Sequence, residues 1–154
     1  MGIALTIHML AVIIWVGGMF FAYMALRPAA VATLEPPQRL PLWSATFRRF
    51  FPWVWGAIIL LPATGYWMIL SPSAFGGFAN ISHYIHAMQG IGLVMIAIFL
   101  HLFFVPYQRL NRAVETGDWP VAGKQLNQIR QLVLLNLILG IITVIVATGG
   151  AYWS

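Results

Sequence analysis

The chain has 154 residues, of which 61% are hydrophobic and 7% charged. Its mean hydropathy is +0.86. Soluble domains carry about 25% charged residues, so this composition excludes an ordinary soluble domain and points to a membrane protein of one domain. The net charge of +5 would suggest nucleic acid in a soluble protein. Here no nucleic-acid partner is expected, because the charges are confined to two windows. Arg27, Glu35, Arg39, Arg48 and Arg49 form the first; Arg109, Arg112, Glu115, Asp118, Lys124 and Arg130 form the second. Ionised groups avoid hydrocarbon, so these windows lie outside the membrane, and their basic excess places them on the cytoplasmic side. The chain has no cysteine, which removes thiolate sites and disulfides.

In chain order, the first span is predicted over about 2–24, too long for a cleaved signal segment and ended by Arg27 and Pro28. Residues 29–41 contain Pro36, Pro37 and Pro41 and read as an irregular loop. A short interfacial helix over 42–49 would set Trp43, Phe47, Phe50 and Phe51 at headgroup level. The second span takes about 51–70, with Pro62 inside it and Thr64–Gly65 suited to close helix contact. A short uncharged loop, 71–80, leads to the third span over about 81–107. The second basic segment is predicted to be partly helical and broken near Gly117–Pro120, and the fourth span takes about 132–153. The expected fold is therefore an all-α, multi-pass bundle of four transmembrane helices running up and down, with both termini on the non-cytoplasmic side. The expected location is a bacterial inner membrane. Gly149, Gly150 and other small residues leave room for a homodimer within the lipid bilayer.

The four histidines carry the chemistry. His8 lies in the first span, and His83, His86 and His101 lie in or at the third. An ionisable side chain inside a membrane faces a partner helix, a cavity or a cofactor. His8 and His86 each lie roughly 8–9 Å along parallel helices from the same face, at 1.5 Å per residue. Two imidazoles at matching depth can clamp haem, and His83 could replace His86 or meet a haem propionate. Val12, Trp15 and Met19 continue the face of His8, while Gly17, Gly18, Gly90 and Gly92 thin the neighbouring surfaces. The expected cofactor site is thus His8, His86, His83, Trp15, Gly18 and Gly90, with His8 and His86 as metal ligands to haem b. For His101, roughly 22 Å deeper than His86, a hydrogen bond between helices is the plainer role. Copper is the alternative cofactor. Imidazole and thioether suit Cu(I), and Met1, Met9 and Met88 lie near the histidines. Methionine also fills gaps in apolar cores without any such role.

No acidic residue lies in a span and no phosphate-binding loop is visible. The enzymatic reading that remains is a haem-dependent membrane oxidoreductase. It would exchange electrons with an unidentified donor or acceptor, or oxidise a small substrate near the periplasmic face.

The run HMLAVIIWVGGMFFAYMALRPA, from His8 to Ala29, resembles the first helix of the copper resistance D (CopD)-like integral membrane proteins. FRRFFPWVWGAIILLPATGYWMIL and HYIHAMQGIGLVMIAIFLHLFFVPYQRLNRAV resemble the same group. More distantly, the chain is similar to HemJ-type protoporphyrinogen oxidases, with His8 and His86 at that group's histidine positions and Trp15, Gly17 and Gly18 at its motif. Met88 stands where that group carries a basic residue. The first resemblance implies copper transport or resistance, and the second implies haem b.

Overall fold

The computed structural model describes residues 1–153, which are helical apart from short connections, with no strand among them. Helix α1 spans Gly2–Phe21 and passes through a wide π turn, Ala22–Leu26, into α2, Arg27–Thr33. Helix α3 spans Pro36–Leu70, α4 His83–Phe104, α5 Pro106–Thr116 and α6 Trp119–Trp153. Four helical stretches, Gly2–Thr33, Pro36–Leu70, His83–Thr116 and Trp119–Trp153, are long and apolar enough to cross a membrane. The start of α1, the end of α6 and the Ser71–Asn80 connection share one end of the molecule; the two basic segments share the other.

All four predicted spans are present, but their boundaries at the basic end were set too short. Arg27 and Pro28 do not end the first helix, which runs on to Thr33. Proline lacks an N–H and its ring meets the carbonyl four residues back. The π turn just before Pro28, closed by the Arg27 N–H on the Ala22 carbonyl, widens the helix where that ring must fit. The loop predicted over 29–41 is instead helix on both sides of Leu34–Glu35, and 42–49 is part of α3. Pro36 and Pro37 occupy the first turn of α3, where backbone N–H groups have no helical partner to lose. The expected break near Gly117–Pro120 is present: Gly117 caps α5 at φ +69° and α6 starts at Trp119. At the opposite end Gly76 (φ +69°) and Gly77 (φ +120°) turn the chain between α3 and α4, with Gly77 N–H on the Ile69 carbonyl at 2.7 Å.

Helix α1 packs chiefly on α3, and α4 and α5 pack on α6; α6 also touches α1 and α3. The densest core lies towards the basic end. Phe47 stacks on Phe51 at 5.0 Å, and Phe51 meets Tyr107 edge-on at 4.7 Å and Phe99 at 5.4 Å. Trp43, Phe47 and Phe51 are buried here. Their spacing along a continuous α3 turns them onto the bundle, where ring contacts exceed what the interface offers. Two hydrogen bonds between helices tie the frame: Ser44 Oγ donates to Asn111 Oδ1 at 2.6 Å, and the buried Asn136 Nδ2 donates to the Met95 carbonyl at 3.1 Å.

Two glycines, Gly18 and Gly150, serve close contacts within the chain. A Cβ at Gly18 would collide with the Phe50 ring, and one at Gly150 would stand 2.7 Å from Tyr84. Gly17, one residue away from Gly18, faces open space. Gly18→Val should therefore cost about 1–3 kcal/mol through overpacking, read as a lower unfolding midpoint in detergent. Gly17→Ala should leave that midpoint unchanged or raise it.

Candidate functional site

Two cavities divide the bundle. The first, about 350 Å³, lies between α1, α3, α4 and α6 in the half nearer the termini. His8 is the one histidine among its lining residues, and no Asp, Glu, Lys or Arg lines it. Met1, Met9, Met68, Met88 and Met95 all do, so five of the chain's seven methionines converge on a single space. The remaining walls are mostly aliphatic and aromatic, with Gln89, Thr143 and Thr148 among them and Trp15 at one limit.

The lining of α4 explains why one predicted pair does not form across this cavity. Ile85, Met88, Gln89 and Gly92 face it, at helical spacing. His83 and His86 lie on the opposite side of the helix and are exposed, as is His101. Matching depth along two parallel helices fixes the level of two side chains but not the direction in which each points. His8 and His86 share a level without sharing this cavity. Gly90 is likewise exposed with nothing near it, and Gly18 serves the Phe50 contact. Of the predicted face of α1, His8, Val12 and Trp15 line this cavity, whereas Met19 lines the second one. Among the described residues no group of three or more His, Cys, Asp or Glu could hold a metal ion.

The sequence reading missed the partner of His8. His8 Nδ1 lies 2.8 Å from Thr64 Oγ1. Thr64 Oγ1 also lies 2.6 Å from the Leu60 carbonyl, which can only accept. A hydroxyl has one proton; with that proton on the Leu60 carbonyl, Thr64 accepts from the imidazole. In that arrangement the Nδ1 of His8 carries the ring proton, and Nε2 keeps its lone pair. A metal-binding histidine is usually arranged in this way, with one nitrogen donating to a protein oxygen and the other free to ligate. Gly65 follows Thr64 and lies flush against the ring; a Cβ there would sit 3.5 Å from His8 Cε1. The signal in the sequence was the Thr64–Gly65 pair, read only as a site of close helix contact.

The second cavity, about 360 Å³, lies towards the basic end between α1, α2, α3 and α6. Arg27, Arg39 and Arg130 line it, with Trp43, Phe47 and Phe51 on the apolar walls. Trp15 and Asn136 close its inner end. Trp15 belongs to the lining of both cavities, and Met95, which accepts from Asn136, belongs to the first.

These features define a multi-pass membrane protein whose internal cavity offers one imidazole and several thioethers free of charge. Residues 44–149, more than half of the chain, match the family model of Copper resistance protein D, and the chain belongs to that family. Helix α1, with His8, precedes the matched stretch. Comparison with curated proteins and with solved structures gives no match.

The hydrogen-bond chain has a direct readout. Nitrogen NMR of histidine-labelled protein should show His8, in its neutral form, protonated at Nδ1 and bare at Nε2. Thr64→Val should abolish that preference, whereas a wild-type ring protonated at Nε2 would contradict the arrangement.

Proposed function

We propose that the protein handles copper within the membrane, binding Cu(I) in the cavity that His8 shares with the methionines. The observation that carries this reading is the donor set itself, in a chain of the copper resistance D family. Cu(I) is a soft ion that favours imidazole and thioether ligands and accepts two or three of them. The Nε2 of His8 supplies the imidazole, and Met9 and Met88, from facing helices, supply thioethers. No charged side chain lines the cavity to hold a harder cation. Thr64 holds the imidazole in its ligating form. The basic segments favour a cytoplasmic position, so the copper cavity would lie towards the outer face of a bacterial inner membrane.

Haem b between His8 and His86 is set aside in favour of copper. His86 and His83 are exposed and stand outside the lining, which leaves a haem in this cavity without its second imidazole.

Purified protein, titrated anaerobically with Cu(I) against a chromophoric chelator, should bind about one ion per chain. His8→Ala should weaken binding tenfold or more, and Met9→Leu combined with Met88→Leu should weaken it comparably. Thr64→Val, which removes the partner of a ligand, should lower affinity about 10–100-fold. A haem absorption band in the isolated protein, with no Cu(I) bound, would reverse the assignment.

A further inference from the structure

We propose that the cavity at the basic end binds an amphiphilic anion, a molecule with a carboxylate or phosphate head and an apolar tail. The chain has eight basic side chains. Arg48, Arg49, Arg109, Arg112 and Lys124 are exposed, and membrane topology accounts for them. Arg27, Arg39 and Arg130 are half-buried, and all three line one cavity. None of the three acidic residues, Glu35, Glu115 and Asp118, lines it with them.

Each of these guanidiniums uses little of its hydrogen-bonding capacity on the protein. Arg27 lies over the Tyr23 ring at 5.2 Å. Arg39 Nη1 donates to the Leu34 carbonyl at 3.4 Å, and Arg130 Nη2 donates to Asn127 Oδ1 at 2.6 Å. A guanidinium has five N–H donors, so most remain for a ligand, and their fork geometry suits carboxylate and phosphate. Three like charges around a half-buried space repel one another and lower the cost of placing an anion there.

Below the arginines the walls are apolar and aromatic, which suits a hydrocarbon tail. Arg130 and Asn136 are six residues apart on α6, so the space extends roughly 9 Å inward from the charged level. Asn136 Oδ1, at the inner end, has no partner in the protein. A basic hollow between membrane helices at the end favoured as cytoplasmic is also where anionic lipid headgroups are captured. The same charges disfavour Cu(I), so this cavity does not extend the copper site, and the inference is independent of that assignment.

Brominated amphiphiles quench tryptophan, and Trp15, Trp43 and Trp119 all line the cavity. Protein in a neutral detergent should be titrated with brominated phosphatidylglycerol, brominated phosphatidylcholine and dibromostearate. Saturable quenching by an anionic probe, at a concentration at least tenfold below any effect of the zwitterionic lipid, is expected. Saturation by phosphatidylglycerol alone assigns a phospholipid, and saturation by dibromostearate assigns the free acid chemistry. Arg39→Gln with Arg130→Gln should raise the half-saturating concentration tenfold or more, and Arg48→Gln with Arg49→Gln should not change it. Should the first pair fail to fold, Arg130→Gln alone should give a shift of several-fold. Equal quenching by anionic and zwitterionic lipid, or equal loss from the exposed pair, would overturn the proposal.

Discussion

A polar group in hydrocarbon must find its partner inside the protein, and most of what is specific about this bundle follows from that requirement. The backbone meets it by remaining helical. Side chains meet it partly within their own helix, as Thr143 does on the Leu139 carbonyl, and partly at three points that join two helices. His8, Thr64 and the Leu60 carbonyl form one chain from α1 into α3. Asn136 reaches from α6 to the Met95 carbonyl on α4, and Ser44 reaches from α3 to Asn111 on α5. The first of these does more than hold helices together. It holds, through Nδ1, the one histidine that lines the cavity shared with five methionines.

The four spans were legible because charge is excluded from the bilayer core, and the eleven charged residues fall in two groups. The helix ends were not legible from the same signal. Arg27 marks where hydrocarbon gives way to water, but arginine is a good helix former and does not stop the backbone. Proline misled in the same way at Pro36 and Pro37, which start a helix rather than prevent one. The face of α1 carrying His8 and Trp15 could be read from spacing alone, since it depends on one helix. The pairing of His8 with His86 depended on the rotation of a second helix, which neither depth nor composition encodes. Thr64 is 56 residues from His8, and only packing brings the two together.

The two cavities are similar in size and opposite in chemistry. One presents soft, uncharged donors and the other presents guanidiniums, with Trp15 at the boundary between them. Trp15 is 3% exposed and meets Phe99 edge-on at 6.4 Å, so α1 and α4 both hold the partition. A cation stabilised on one side has no favourable place on the other. The helix pairs thus keep two ligand chemistries apart within a single small bundle.

The π turn at Ala22–Leu26 has a consequence for how the cavity at the basic end is lined. It lets a single rod present two different faces, since the register of α2 is shifted relative to that of α1. Deleting one residue from the turn would rotate Arg27 and Val31 by roughly 100° about the axis, off the wall they now form. The length of this turn is therefore a determinant of the cavity's charge, separable from the identity of any side chain within it.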